Sequence, residues 1–200
     1  MAFNVNQFRA TMVNDGARPS LFEVVMSLPP ILGVAPLTND IIFRVRATSL
    51  PGDGVSSISV PYFGREIKIA GTRTFPDWSF TIINDEDFIA RRNLEAWLNL
   101  INGHVSNLRA PQALAAFSYQ SDALVTQFSK AGPPIKAYKM VGCFPTDVAP
   151  IELDWGLGDQ IEEYGVTFAY QWWESDSTDS AATSGAPAVG SPFQGPPGGP

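Results

Sequence analysis

The chain has 200 residues, enough for one domain with a substantial core and a short extension. Its 20 acidic and 13 basic residues give a net charge of −7, which argues against a protein whose main task is to grip nucleic acid, because phosphate contacts need Lys and Arg. A single cysteine, Cys143, excludes an internal disulfide framework and a multi-cysteine zinc site.

Charged residues make up only 16% of the chain, against roughly 25% in an ordinary soluble domain. A surface poor in charge suits large protein–protein interfaces, although a β-rich domain with many polar turns has the same composition. The last basic residue is Lys139, so everything after it carries only acids and would repel a polyanion.

The sequence offers no segment for a membrane. No uninterrupted apolar run approaches the ~20 residues that span a bilayer, and the opening MAFNVNQFRA lacks the pattern of a secretory signal. We therefore expect the protein to fold in a cytoplasm without binding a membrane directly.

Alternating apolar and polar residues predict several strands in the first half of the chain: 41–48, the arms of a long hairpin at 56–60 and 65–70, and 78–83. Arg44 and Arg46 share the polar face of the first strand. The Pro-Gly-Asp-Gly sequence at 51–54 predicts a turn before the hairpin.

One segment has a helical pattern. Asn84 or Asp85 can cap its start, and the acidic run 85–87 lies where the helix dipole favours negative charge. An apolar stripe at three- and four-residue spacing follows, formed by Ala90, Leu94, Trp97, Leu98 and Ile101. Gly103 predicts the end of the helix.

Two more strands are predicted, at 135–141 and, as the longest, at 162–172. The core face of the last strand would carry Glu162, Tyr164, Val166, Phe168, Tyr170 and Trp172. The opposite face is small and polar, and carries Glu163, Gly165, Thr167, Ala169 and Gln171. Together the patterns predict a mainly β fold, an antiparallel β-sandwich or barrel with one flanking α-helix and a long hairpin loop.

Composition changes near Trp173. From Glu174 onward the chain is rich in Pro, Gly and Ser and cannot bury enough apolar surface to offset its chain entropy. We therefore predict a domain at 1–173 and a disordered or extended tail at 174–200. The 17 acidic and 13 basic residues before Glu174 leave the domain with a net charge of −4.

No pattern in the chain indicates catalysis. His104 is the only histidine and follows a predicted helix end, and Cys143 lies in an apolar context without a nearby histidine. Glu162 and Glu163 are adjacent on a strand and point to opposite faces. We predict no catalytic residue, no metal site and no cofactor. A small-molecule-binding barrel or an enzyme is the alternative of a different class.

Four motifs occur in order between Arg44 and Asn107: ATSLPG at 47–52, VPYFGREIKIAG at 60–71, TRTFPDWSFTIINDEDF at 72–88 and LEAWLNLINGHVSN at 94–107. With FRATMVNDGARPSLFEV at 8–24 and GVTFAYQWWE at 165–174, the chain resembles the tail tube proteins of contractile-tailed bacteriophages over roughly residues 8–173. The tail after Glu174 departs from that pattern.

The resemblance implies six copies in a ring and rings stacked into a hollow tube inside a contractile sheath. The implied partners are further copies of the chain, the sheath protein, the baseplate or tube initiator and the tail terminator. The tape measure protein and then genomic DNA would occupy the lumen. The implied location is the virion tail, assembled in the cytoplasm of the host bacterium. The alternative is the inner tube of a phage-derived contractile injection system that translocates protein effectors.

Two surfaces are hypothesised from pattern and resemblance. The small polar face, Glu163, Gly165, Thr167, Ala169 and Gln171, is the predicted lumen or intersubunit face. Inter-ring or intersubunit contacts are predicted around the hairpin, through Arg44, Arg46, Asp53, Arg65, Glu66, Lys68 and Arg73. An acidic lumen would repel phosphates, so that DNA slides without being trapped.

Overall fold

The computed structural model describes residues 5–12, 16–33 and 44–176. The strands in these ranges are β1 (Phe22–Met26), β2 (Val45–Thr48), β3 (Gly54–Tyr62), β4 (Arg65–Thr74), β5 (Trp78–Ile83), β6 (Ser121–Phe128), β7 (Pro134–Val148), β8 (Glu163–Ala169) and β9 (Trp172–Ser175). The α-helices are α1 (Val5–Thr11), α2 (Ile89–Ile101) and α3 (Ala116–Tyr119). The predicted mainly β, antiparallel class is confirmed.

Seven strands form one antiparallel sheet in the order β1-β6-β7-β8-β5-β2, with β9 paired to β7. The 15-residue β7 divides this sheet into two halves. Its first part pairs with β6 and β9, and its last part, Phe144–Val148, pairs with β8. The end strands β1 and β2 do not pair with each other within the described ranges, so the sheet is not a closed barrel.

β7 bends at Gly142, where it leaves one half of the sheet for the other. Gly142 has φ 69°, a left-handed conformation that side chains disfavour. A Cβ atom there would lie 2.8 Å from Gln171 Cγ and 3.3 Å from Gln120 Oε1. Glycine is therefore required at the bend both by its backbone angle and by the space around it.

Both half-sheets and α2 share one hydrophobic core. Its largest fully buried side chains include Trp78 and Phe168 from one half, Met26 and Met140 from the other, and Trp97 from α2. The Trp97 indole donates a hydrogen bond to the Tyr119 carbonyl at 2.7 Å, which ties α2 to α3. The predicted apolar stripe of the helix therefore faces the core, as Ala90, Leu94 and Trp97 are all buried.

α2 begins at Ile89, several residues later than the acidic run predicts. The Phe88 amide bonds to the Asp85 carbonyl in a preceding turn, and Phe88 has φ 53°, which interrupts the helical path. The Asp87 carboxylate accepts a hydrogen bond from the Ile89 amide at 3.0 Å. The acids thus lie in the turn before the helix, although Asp87 still accepts a hydrogen bond from the first amide of the helix.

The prediction of a single last strand at 162–172 is wrong. β8 ends at Ala169, and the chain turns through 170–171 to form β9 against the other part of β7. The longest strand is β7, which extends seven residues beyond the predicted 135–141. Trp172, expected in the core, is 45% exposed because it lies on the separate edge strand β9.

Two other predictions concern segments that the described residues cover only in part. Of the predicted strand at 41–48, Val45–Thr48 is observed as β2, Arg44 lies in a turn before it, and residues 41–43 lie outside the described residues. β9 continues to Ser175, two residues beyond the predicted domain end. Residues 177–200 also lie outside the described residues, so the extended tail stays a prediction.

None of the described helices has the length and apolar character needed to cross a membrane.

Candidate assembly surface

The β3–β4 hairpin stands apart from the main sheet as a separate two-stranded sheet. Its strands are 9 and 10 residues long, which corresponds to a ribbon about 30 Å in length. Phe63 and Gly64 form its tight turn, with φ of 42° and 84°. Positive φ at both positions gives the primed type of turn that matches the twist of a hairpin.

One face of the hairpin is apolar and uncovered. The cross-strand pairs Ile58–Ile69 and Val60–Ile67 place four aliphatic side chains on this face. All four are exposed, Ile58 at 55%, and Phe63 at the tip is 92% exposed. A lone two-stranded hairpin is marginally stable in water, so this face is suited to being covered by another protein surface.

The opposite face of the hairpin is polar. Pairs Ser59–Lys68 and Pro61–Glu66 lie on this face. Among the described residues, neither Lys68, Glu66 nor the nearby Arg65 forms an ion pair. Glu66 and Lys68 therefore share the polar face, whereas Arg65 lies beside the turn on the face of Ile67 and Ile69.

The base of the hairpin is fixed to the domain. Asp53 and Arg73 form an ion pair at 3.3 Å between the two chain segments at the base of the hairpin. The Gly52 carbonyl accepts hydrogen bonds from Tyr170 Oη and Trp173 Nε1, each at 3.3 Å. Asp53 and Arg73, both predicted contacts, thus have a role within the chain as well.

Arg44 and Arg46 also find carboxylates within the chain. Arg44 lies 2.5 Å from Asp85 and 3.6 Å from Asp87, which joins the start of β2 to the turn before α2. Arg46 pairs with Glu163 on β8. Their predicted use between subunits stays a prediction, and it would require these cations to share or exchange their partners.

The predicted small polar face is present on β8 and its neighbours. Gly165 lies opposite Thr81 of β5, and Thr167 lies opposite Ser79. Alternate residues of β8, Tyr164, Val166 and Phe168, are buried beneath it. The predicted face ends at Ala169, because Gln171 lies in the turn to β9 and its amide bonds to the Val141 carbonyl at 3.0 Å.

This face forms a shallow, open groove whose side chains offer little chemical reactivity. Its polar lining consists mainly of hydroxyl side chains with one carboxylate: Thr48, Ser49, Ser79, Thr81, Thr167 and Asp147. Such a lining offers hydrogen bonds to water or to a packed neighbour. Among these described lining residues, no nucleophile is paired with a general base.

The remaining reactive groups do not form a site. Cys143 is buried, and burial raises the pKa of its thiol to about 12, so the nucleophilic thiolate is scarce at neutral pH. His104 is exposed beyond the end of α2. Across the described ranges, no three His, Cys, Asp or Glu side chains are grouped so that they could hold a metal ion.

The model of the family described as phage tail tube protein matches residues 17–176. The chain belongs to this family. It is 32% identical over 167 residues to the tail tube protein gp19 of Enterobacteria phage T4, which covers 83% of this chain and 96% of that protein. The tail tube protein of Serratia phage KSP90 is 26% identical over 168 residues, covering 83% and 93% of the two chains.

Solved structures share the fold at low sequence identity. A chain of the anti-feeding prophage baseplate matches with a TM-score of 0.61 and 11% identity, covering 80% of this chain and 95% of that one. A chain of the sheath–tube complex of the extracellular contractile injection system PVC matches with a TM-score of 0.55 and 13% identity, covering 87% and 98%. The family membership rests on the family model and the phage relatives, and the likeness to the injection-system chains is one of fold.

Sequence reasoning identifies the hairpin but misses the feature that best suits it to assembly. It selects the charged side chains and does not select the exposed aliphatic face of Ile58, Val60, Ile67 and Ile69. The available signal is the period-two alternation in both arms, which predicts one apolar face. Only the lack of a covering element in the described part of the chain, which is a tertiary property, distinguishes this face from a core face.

Proposed function

We propose that six copies of this chain form a ring, and that rings stack into the inner tube of a contractile phage tail that conducts DNA into the host. The observation that carries this proposal is the uncovered aliphatic face of a hairpin about 30 Å long that is fixed at its base. In a monomer this face costs free energy, whereas in a stack of rings a neighbouring subunit covers it.

The sheet edges support lateral assembly. Within the described residues β1 pairs only with β6, and β2 pairs only with β5, so each leaves one edge without backbone partners. Open edges invite pairing with another chain, and closing them in a ring removes that liability. In the proposed ring, strands of adjacent copies continue one another's sheets.

The acidic net charge of the chain supports a lumen that does not bind DNA. The chain has a net charge of −7, and a ring of six would be strongly acidic. The small polar face, with Glu163, Gly165, Thr167 and Ala169 on β8, is our proposed lining of the lumen or of the intersubunit contact. The hydroxyl groups and Asp147 of this face offer phosphates no cation, and the neighbouring Arg46 is already paired with Glu163, so DNA would slide past them.

The proposed partners follow from the same assembly. The tube would be surrounded by a sheath protein, would begin on a baseplate or initiator, and would end at a terminator. It would hold the tape measure protein and later DNA, and it would be assembled in the host cytoplasm. An injection-system tube carrying protein effectors is the second candidate. The relatives at 32% identity are phage proteins, whereas the likeness to injection systems is one of fold, so we favour the phage tail.

A matched pair of variants tests the assembly proposal. Ile58→Asp and Ser57→Asp introduce the same charge on adjacent residues of β3, the first on the apolar face and the second on the polar face. We expect Ile58→Asp to abolish rings and tubes in electron micrographs, and Ser57→Asp to retain them. Both monomers should melt near the wild-type temperature, because both positions are exposed.

Two results would overturn the proposal. A wild-type protein that stays monomeric at all concentrations in light scattering, and forms no annular particle, would contradict assembly itself. Equal assembly by the two variants would contradict the role of the apolar face. Cross-sections of wild-type tubes with other than six subunits would contradict the hexamer alone.

A further inference from the structure

The connection between β7 and β8 is an exposed loop that is both apolar and acidic. We name residues 150–161 the acidic loop. Trp155 is fully exposed, and Leu153 and Ile161 are largely exposed. The loop carries Glu152, Asp154 and Asp159 and no basic residue. Large apolar side chains displayed among acids are typical of a docking element.

The acidic loop is anchored at the N-terminal end of α2. On one side, the Arg91 guanidinium donates a hydrogen bond to the Ala149 carbonyl at 3.1 Å. On the other side, Asn84 donates to Glu162 through its backbone amide and its side chain, each at 2.8 Å. Asp154 also organises the loop internally, as its carboxylate accepts from the Gly156 amide at 2.8 Å.

A second exposed apolar surface lies at the C-terminal end of α2. We name residues 103–117 the Arg109 patch. Val105 is fully exposed and Phe117 is 84% exposed, with Leu108 and Leu114 also exposed. The patch holds Arg109 and His104 and no acidic residue.

The Arg109 patch is fixed to the helix end as firmly as the acidic loop is fixed to the helix start. The Ala110 amide bonds to the Leu100 carbonyl at 3.1 Å, and the Gly103 amide bonds to the Leu108 carbonyl at 2.9 Å. The Arg109 guanidinium lies over the Tyr119 ring, 4.9 Å from its centroid, and Arg109 is exposed.

These two surfaces complement each other but cannot meet within one chain. The 13 residues of α2 separate their anchoring points by about 20 Å. One surface is apolar with acids, and the other is apolar with a cation and no acid. From these features we propose that the acidic loop of one copy docks on the Arg109 patch of a second copy, a head-to-tail contact that repeats along an assembly.

This contact rests on the proposed function and adds a specific interface to it. A head-to-tail contact uses two different patches of the same chain, so every copy offers one free site on each side. It therefore propagates rings or stacks, whereas a two-fold contact would stop at a dimer. The exposed aromatic side chains Trp155 and Phe117 supply the buried area, and Arg109 facing Glu152 or Asp159 fixes the orientation.

Cysteine cross-linking between different chains tests the contact. Leu153→Cys and Phe117→Cys would be made in separate full-length chains, with an epitope tag on one, mixed, assembled and treated with a short bismaleimide. We expect a heterodimer containing both variants. Native Cys143 is buried and should not react. As a matched control, Ile135→Cys at the start of β7 is exposed and outside both surfaces, and it should not cross-link to Leu153→Cys.

Charge exchange gives a second, independent readout. We expect Arg109→Glu alone, and Glu152→Lys with Asp159→Lys, to lower the fraction of protein in tubes at least tenfold at low salt. Combining all three should restore tubes, because opposite charges again face each other. Absence of the mixed cross-link from assembled tubes would overturn the contact, and so would full assembly by every charge variant. So would charge variants that form tubes and lose only binding to a sheath protein.

Failure of this contact and failure of the proposed function give different results. If the wild-type chain forms tubes and the charge variants do so equally well, only the contact is wrong. If the wild-type chain forms no rings or tubes, the proposed function is wrong.

Discussion

The buried face between α2 and β8 contains two polar atoms without partners among the described residues, Tyr164 Oη and Asn93 Nδ2. Both side chains are buried, and the Arg91 guanidinium lies 5.1 Å from the centre of the Tyr164 ring. Burial raises the pKa of the Tyr164 phenol to about 12, since the phenolate would lose its water. A buried hydroxyl without a partner lowers stability rather than adding to it.

Tyr164→Phe should therefore be neutral or stabilising by about 1 kcal/mol at pH 8. The benefit should grow in alkali. Between the ordinary pKa near 10 and about 12, the unfolded tyrosine loses its proton while the folded one keeps it, so wild-type stability falls as pH rises through this window. Urea unfolding at pH 8 and pH 11 measures this difference. Tyr62→Phe, exposed on the hairpin, is the control; an unchanged alkaline slope in Tyr164→Phe would contradict the argument.

Variants of the Arg46–Glu163 ion pair can distinguish an effect on folding from an effect on assembly. Arg46 is largely exposed, so the pair contributes about 0–1 kcal/mol to the monomer. Arg46→Glu should lower the melting temperature by a few degrees, and Arg46→Glu with Glu163→Arg should restore it. If Arg46 also serves a neighbouring subunit, the double variant should melt normally yet form fewer tubes by light scattering. Full recovery of both would confine the residue to its own chain.

At the scale of elements, the decisive feature is the bend of β7 at Gly142. The alternation of the sequence predicts the first part of this strand, but it contains no signal that the strand changes partners. Nothing in the sequence distinguishes Gly142 from any other glycine, because its positive φ and its closeness to Gln171 depend on tertiary structure. For the same reason, alternation alone predicts one continuous strand at 162–172 where the chain forms β8 and β9.

Gly142→Ala tests the bend against a matched glycine. Gly33 has a similar φ of 63°, and a Cβ atom added there would meet none of the described residues within 4 Å, so Gly33→Ala reports mainly backbone strain, about 1–2 kcal/mol. Gly142→Ala adds a collision with Gln171 and should cost clearly more in chemical denaturation. Equal losses would show that Gln171 moves aside freely.

Elements whose pattern depends on nearby residues are predictable. The α2 stripe, the hairpin arms and β5 follow from periodicity, because each buries or exposes one face along its whole length. The start of α2 is displaced from its predicted position, where Asp85 and Asp87 are engaged by Arg44, 41 residues away from Asp85 in sequence. The small face of β8 is predictable, while the acidic loop and the Arg109 patch are not, since only the fold shows them uncovered.

At the scale of the whole molecule, the chain combines a tightly packed core with appendages that the core does not cover. The aromatic core joins both half-sheets and α2, whereas the hairpin, the acidic loop and the Arg109 patch all display apolar side chains. A monomer of this kind is folded but leaves apolar surface in contact with water. Most of the exposed large hydrophobic side chains in the described ranges belong to the surfaces that we assign to contacts between copies.

Truncations locate the end of the folded part. A chain ending after Asp176 keeps β9, including the buried Ser175 and the bond from the Ala137 amide to Asp176. A chain ending after Gln171 loses β9 and opens an edge of β7. We expect the first to melt like the full chain and the second to melt several degrees lower or to aggregate, as followed by circular dichroism and size exclusion. A wild-type melting temperature for the shorter chain would contradict a structural role of β9.

Because β7 is hydrogen-bonded in both half-sheets, we expect the two halves to open together. Amide protons near Met140 and near Phe168 should therefore exchange with solvent deuterium only through the same global event, although they lie in different halves. Amides of the hairpin should exchange much sooner in the monomer. A subunit built in this way would transmit a push along the tube as one stiff body, with compliance confined to the projecting ribbon.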